Sequence, residues 1–458
     1  MYIYEMSVLM IRKNDKLTVT IEDYSNEGFG IARVDGYVLF IPGAAVGETI
    51  EAHILKVGRS FGYAKIVNIV QPSADRIESD CPVSSRCGGC AFRHIRYESE
   101  LRHKVGKVEN ALRRIGGIEY PPMRPILAAE NICCYRNKAQ YPIRQKNGKI
   151  VAGFYASGSH RVIETERCPL QPEVFDELLT FTLDYMKSHS LTAYDEQTGK
   201  GLVRHLYLRR GEKSGEIMVC VVLNGNTLPA DFLPTLTSAY PKVKCVCINE
   251  NRKKTNVILG ETTHFLTERT YIIDSLLGKE FAISPASFYQ VNPVQTERLY
   301  QKAAELAEID QTQTVLDLYC GIGTIGICTA AGAKTLVGIE IVPQAVENAK
   351  ANAQRNGLQN TRYLCADAKN GAAQLIAEGY HFDTIIIDPP RKGCDAQTLE
   401  ALITLSPEKL VYISCDPATL ARDIAYLTKH GFSLQSATPV DLFPRTTHVE
   451  TVCLLTKK

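Results

Sequence analysis

The stretch LVYISCDPATLARD, residues 410–423, runs from an apolar, β-branched and aromatic segment into Asp416-Pro417 and then into helix-forming residues. Cys415 therefore sits where a strand hands over to a helix, an edge at which a thiol can serve as a nucleophile. The chain has 15 cysteines, and position alone leaves a small core residue as an equal reading. A second constellation lies upstream. VLDLYCGIGTIGI sets Gly321, Gly323 and Gly326 after a strand and ahead of a helix, where backbone can approach a ligand closely. The G-x-G-x-x-G spacing is shared by many nucleotide-binding folds and is weak by itself. Glu340 closes the next strand, where a carboxylate can accept both hydroxyls of a ribose, and Asp367 closes the third, placed for an adenine. Three acceptors at successive strand ends point to a nucleoside site. Asp388-Pro389-Pro390 follows the fourth strand, and the two prolines make a rigid loop against which a flipped nucleobase could lie flat.

A third set is made of sulfur. CPVSSRCGGC supplies Cys81, Cys87 and Cys90, and ERCPLQ supplies Cys168. Four thiolates in this pattern suit either zinc or a [4Fe–4S] cluster. Cations are interleaved with aromatics in YRNKAQYPIRQKNGK (Arg136, Lys138, Arg144, Lys146, Lys149) and in VRHLYLRR (Arg204, Arg209, Arg210). More follow Arg93 in the helical stretch that ends near Arg114. Such surfaces fit a folded or single-stranded RNA, although Glu98, Glu100 and Glu109 dilute the last of them.

The elements that must carry these groups can be read from periodicity. Residues 16–70 alternate apolar and polar positions between glycine turns and predict five short strands: LTVTIEDY, GIARVDG, YVLFIPG, TIEAHILKVG and YAKIVNIV. That count suggests a small OB-like β-barrel over 8–70. Residues 71–272 read as a central α+β domain holding the cysteine set. From 273 to 458 strands alternate with helices, as in a doubly wound α/β domain with a Rossmann-like sheet. The last two strands have no helix of useful length between them and should form an antiparallel hairpin. A length of 458 residues exceeds one ordinary core, and the net charge of +2 confines any polyanion site to local patches. No apolar run is long enough for a membrane span, and MYIYEMSVLMIRKND does not read as a signal peptide, so a cytoplasmic protein with reduced thiols is expected.

SCDPATLARD and DLFPRTTHVE, taken with SFYQVNP and DLYCGIGT, resemble the RNA uracil-C5 methyltransferases, and the resemblance extends over nearly the whole chain. It implies S-adenosylmethionine as methyl donor, RNA as partner, a TRAM domain in the N-terminal barrel, and a monomer. It also implies Cys415 as the nucleophile that adds to uracil C6 and Glu450 as the base that removes the C5 proton. His448 is the rival base. Gln290 and Tyr319 carry over as cofactor contacts, joining Thr324, Glu340, Asp367 and Asp388. The cysteine spacing matches the iron–sulfur branch of the family, which favours a structural [4Fe–4S] cluster on Cys81, Cys87, Cys90 and Cys168. That branch favours 23S rRNA as substrate, with tRNA as the alternative. A cytosine-C5 enzyme is disfavoured because Arg391 stands where its cysteine would follow Asp-Pro-Pro. A non-catalytic RNA-binding factor is the reading from another class.

Overall fold

A computed structural model describes residues 11–458, so residues 8–10 of the expected barrel and most of the apolar start lie outside the described residues. Contacts divide the chain into two compact units. One takes the described residues up to Lys107 with 156–158 and 445–447, and the other takes 108–155, 159–444 and 448–458.

The first unit opens with β1 (Lys16–Thr20), β2 (Asp23–Tyr24), β3 (Gly30–Val34), β4 (Tyr37–Ile41), β5 (Thr49–Val57) and β6 (Phe61–Gln71), in the sheet order β1-β5-β6-β4-β3-β2. The expected first strand is two pieces. Ile21 leaves the ladder of β1, donates its N–H to Glu48 O and accepts that of Gly47, and the chain resumes pairing with β3 only at Asp23. Alternate residues Leu39 and Ile41, Ile50, Ala52 and Ile54 fill the core, as a period of two requires. A turn-rich segment with the cysteines follows, and then α1 (Tyr97–Arg114), whose residues from Val108 on belong to the second unit.

The second unit contains two large sheets. The first is built from β7 (Lys138–Lys146), β8 (Lys149–Tyr155), β9 (Val162–Glu164), α2 (Glu173–Ser188), β10 (Val203–Arg210), β11 (Ile217–Leu223), α3 (Phe232–Ala239), β12 (Val243–Glu250) and β13 (Thr262–Phe265). Its strand order is β13-β12-β11-β10-β7-β8-β9. Strand β11 (IMVCVVL) is buried at every position because both of its faces are covered. Leu206, Leu208 and Val219 pack on one side with Phe175 and Leu178 of α2 and with Leu236 of α3. Tyr207, Met218 and Cys220 pack on the other with Ile272, Tyr289 and Val315.

The hairpin β14 (Ile272–Leu276) and β15 (Lys279–Ile283) and helix α4 (Pro293–Ala307) lead into the second sheet. Its elements are β16 (Thr314–Leu318), α5 (Thr324–Thr329), β17 (Thr335–Glu340), α6 (Pro343–Arg355), β18 (Thr361–Cys365), α7 (Ala368–Ala377) and β19 (Thr384–Ile387). Then come α8 (Ala396–Leu405), β20 (Lys409–Ser414), α9 (Pro417–Lys429), β21 (Phe432–Val440) and β22 (Glu450–Lys457). The order is β18-β17-β16-β19-β20-β22-β21, parallel except for β22, which slots antiparallel between β20 and β21. The interior strands TIII and LVYIS are buried at every position and apolar but for Thr384 and Ser414 at their ends, as a sheet covered on both faces demands. Among the described residues no helix is long and apolar enough to cross a membrane.

Helix α9 holds the Asp-Pro-Pro loop in place. Buried Asp423 accepts the Cys394 N–H (2.8 Å) and the Tyr412 hydroxyl (2.7 Å), and Arg422 Nη2 donates to the carbonyls of Lys392 and Cys394, each at 3.0 Å. Asp423→Ala leaves two buried donors unpaired. It should lower the unfolding free energy by about 3 kcal/mol, read as a shift of the denaturant midpoint.

Candidate active site

The sheet reverses its winding between β16 and β19, the crevice in which open α/β sheets bind ligands. The glycine loop leaves β16 and the Asp-Pro-Pro loop leaves β19. Gly321 and Gly323 have φ of 56° and 84°, a region that suits glycine. Gly326 serves a different purpose: a Cβ there would stand 2.7 Å from Asp317 Oδ2, which accepts its N–H at 2.8 Å. Glu340 turns back to this loop, accepting the N–H of Gly321 at 3.1 Å and that of Val342 at 2.9 Å. Beside it Ile341 is exposed, 62 %. A carboxylate next to an open apolar side chain has the chemistry to accept hydroxyl donors and to pack against a planar ring.

Asp367 is placed less tellingly. It caps α7, and its two oxygens take the Asn370 N–H (2.9 Å) and side-chain amide (2.7 Å). The Tyr319 hydroxyl lies 4.0 Å from Cys394 Sγ, and burial raises its pKa. Thr324 Oγ1 is 3.1 Å from the hydroxyl of Tyr300, whose own pKa is lifted by burial and by the charges of Asp388 and Asp317. Gln290 is buried, and its carbonyl accepts from Asn137 Nδ2 at 2.9 Å.

Cys415 is the first residue beyond β20. Asp416 behind it caps α9 by accepting from Ala418 (2.9 Å) and Thr419 (3.0 Å), with Pro417 at the first helical position. The thiol is half-buried and interacts with Glu450, Asp388 and Arg391. Burial pushes it up to about 12, the negative charges of Glu450 and Asp388 push the same way, and Arg391 opposes them. Glu450 opens β22, is 3 % exposed, and is lifted to about 8 by burial and Asp388, again against Arg391. Asp388 is lifted to about 7 by desolvation and by Asp317. Asp317 reaches about 7 through burial and the charge of Glu340, while its bond from Gly326 N–H pulls the other way. Glu340, Asp317, Asp388, Glu450 and Cys415 thus form one chain of mutual repulsion. Asp317 Oδ1 is buried without a hydrogen-bond partner, a vacancy that suits a cationic or N–H donor ligand.

Two of these groups were missed in the sequence. Asp317 was visible as a carboxylate inside the apolar run VLDL, and Arg391 as the cation after Asp-Pro-Pro. His448, the rival base, lies with Nε2 3.4 Å from Arg391 Nη2. Cys394, which follows the Asp-Pro-Pro loop, is a core residue 3.9 Å from the Tyr412 hydroxyl. Cys320 is buried and Cys365 is exposed.

Among the described residues no three His, Cys, Asp or Glu side chains converge to hold a metal ion. Cys81, Cys87 and Cys90 belong to the first unit and Cys168 to the second. The donor chemistry does fit thiolates. Cys87 Sγ accepts the Gly89 N–H and Cys90 Sγ the Arg93 Nε–H, both at 3.4 Å, and Cys81 lies close enough to act on the titration of Cys87.

Residues 243–458 match the tRNA (Uracil-5-)-methyltransferase family and residues 12–67 the TRAM domain. An uncharacterized RNA methyltransferase of Halalkalibacterium halodurans is 42 % identical over 98 % of this chain and 98 % of its own length. Another from Listeria innocua is 42 % identical over 99 % of this chain and 100 % of its own. The chain belongs to the RNA uracil-C5 methyltransferase family. Its fold is that of Pyrococcus abyssi tRNA (uracil-54, C5)-methyltransferase, solved with S-adenosyl-L-homocysteine, with a TM-score of 0.78 at 24 % identity over 96 % of this chain and 99 % of that one. This is a SAM-dependent RNA methyltransferase with an N-terminal TRAM domain.

The electrostatics predict how Cys415 reacts. Its alkylation by iodoacetamide, followed by peptide mass mapping, should rise with pH without a plateau below about pH 10. Glu450→Gln removes a negative neighbour, so the thiolate forms more readily and alkylation at pH 8 should quicken several-fold. A slower reaction in the variant would contradict the arrangement.

Proposed function

We propose that the protein converts a uridine of 23S rRNA to 5-methyluridine, with Cys415 as nucleophile and Glu450 as base. The reading is carried by one observation: a half-buried thiol at the end of β20 and a buried, protonatable carboxylate at the start of the neighbouring β22 interact electrostatically with each other and with Asp388 after β19. Uracil C5 is too poor a nucleophile to be methylated directly. Addition of Cys415 Sγ to C6 moves the ring electrons toward C5 and O4 and turns C5 into an enolate carbon. The methyl donor supplies an electrophilic methyl group. Glu450 then takes the proton from C5, and the C6–S bond breaks as the double bond re-forms. With its carboxyl near 8, Glu450 has an ionised fraction at neutral pH that can take that proton and holds it once taken, and it returns the proton to solvent after the product leaves. Asp388 and the two prolines behind it form the wall for the base. Glu340 and Ile341 would take the ribose and adenine of the donor, and Gln290, Thr324, Tyr319 and Asp367 complete the surroundings proposed for it.

RNA is gripped in this reading by the barrel as well. Phe40, Phe61 and Tyr63 cluster with ring centroids 5.6–5.9 Å apart, and Phe61 is exposed, which suits base stacking. The choice of 23S rRNA rests on the sulfur set. The Pyrococcus abyssi enzyme, named for uracil 54 of tRNA, shares the fold across the barrel too, so tRNA is the second reading. Mass mapping of 5-methyluridine in rRNA and tRNA from cells lacking the protein separates them, and unchanged levels in both pools refute the function. A 5-fluorouridine RNA should be trapped covalently by the wild type and released by Cys415→Ala, because fluorine cannot leave C5 as a proton would. Glu450→Gln should slow turnover by about 10²–10⁴-fold while still forming the adduct with ordinary RNA.

Cys81, Cys87, Cys90 and Cys168 would hold a structural [4Fe–4S] cluster in a monomeric cytoplasmic protein. Anaerobic purification should give brown protein with about four irons per chain. Colourless protein with one zinc would refute the cluster and leave the methyltransferase reading intact.

A further inference from the structure

Side chains of β7 and β10 alternate between two surroundings. Ala139, Tyr141 and Ile143, with Leu206 and Leu208, enter the apolar core beneath α2 and α3. The other face carries Lys138 and Gln140 opposite Arg209 and Tyr207. The register sets Lys138 directly across from Arg209. Like charges facing each other in an antiparallel pair repel, and burial deepens the repulsion. The Lys138 ammonium is drawn down to about 8 by burial first, then by Arg209 and Arg136, and no acid acts on it in return. Arg209 is buried. Its Nη1 donates to the carbonyls of Ser287 (2.9 Å) and Ser284 (3.4 Å), and its Nε has no hydrogen-bond partner. Arg136 Nε is likewise buried and without one.

Lys138 thus faces two guanidinium groups, each with a buried orphan donor, and no acid is among the groups that act on its ammonium. The place is not remote from the chemistry. Arg209 holds the 284–287 segment, and Asn137, between the other two cations in sequence, fixes the carbonyl of Gln290 and donates its own N–H to Val291 O at 2.9 Å. We infer that Arg136, Lys138 and Arg209 form an anion subsite that takes one backbone phosphate of the RNA beside the uridine being methylated. The inference rests on the RNA-methyltransferase reading above. A phosphate oxygen would accept from the orphan guanidinium N–H groups, whose planar fork suits it, and its charge would relieve the Lys138–Arg209 repulsion.

The test compares the wild-type protein with Lys138→Met, which keeps the aliphatic stem, in binding and methylation of 23S rRNA and tRNA transcripts. Arg209 is left intact because its bonds to Ser284 and Ser287 are structural. Lys138→Met should weaken RNA binding several-fold and make the dependence of log affinity on log salt shallower by about 0.7–0.9, the signature of one lost phosphate contact. Without RNA its thermal midpoint should rise, since a repulsion has gone, and Lys138→Arg should restore the salt slope. An unchanged salt slope would overturn the subsite, and a lowered midpoint with that slope would make Lys138 a structural residue. Binding is read independently of catalysis: transcripts bound but never methylated would refute the methyltransferase reading, whereas methylation with equal slopes would refute only the subsite.

Discussion

The structure of the catalytic end depends on carboxyl groups held close together out of water. Asp317, Asp388 and Glu450 each sit near or above neutrality because burial and a neighbouring acid both oppose ionisation. Isolated in water such groups would be ionised at neutral pH. Here each keeps its neighbour partly protonated, and Cys415 at the end of the chain inherits the same bias. A cation admitted among these groups would favour their charged forms together. Arg391 already exerts that pull on Cys415 and Glu450.

Holding such a cluster requires a scaffold that does not yield. The parallel strands on either side of the crevice are buried and mostly apolar, with Asp317 the one charged residue in them, and the loop after β19 is tied to α9. Asp423 and Arg422 of α9 bind the loop after β19, while Thr419 Oγ1 of the same helix donates to Arg391 O at 3.1 Å. The helix that fixes Arg391 is therefore also the helix that starts beside Cys415, so cation and thiol are set by one element. The first residue after β16, Tyr319, has φ of 72°, which only surrounding packing can maintain in a non-glycine residue.

Much of this was legible in the sequence because local period and local turn chemistry carry it. The alternation in β4 and β5, the apolar runs of β19 and β20, and the glycine loop were all readable within a dozen residues. What was not readable is either pairwise or ambiguous by nature. The break at Ile21 depends on bonds to Gly47 and Glu48, which are distant in sequence. Asp367 shows the second kind of difficulty: an aspartate before a helix is the signature of a cap and of a ligand acceptor alike, and the structure displays the cap. Asp317 and Arg391 looked unremarkable as residue types, and only their burial and proximity to other charges mark them.

The thiols illustrate how environment rather than residue type selects a nucleophile. Cys394 and Cys453 share the core with apolar neighbours or hydroxyls, Cys320 is buried beside Asp317 and Glu340, and these buried sulfurs offer no approach to a planar ring. Cys365 is open but ends the edge strand β18, five strands away from β22, which Glu450 opens. Cys415 alone among these combines partial exposure with a nearby carboxyl able to exchange a proton near neutral pH. A reactive thiol commonly has its pKa lowered by cations or a helix N-terminus, and this one is raised. In the reaction proposed above, attack by this thiol would therefore require its proton to be drawn off when the crevice is filled, and until then the raised pKa keeps the sulfur protonated and slow to react with alkylating agents.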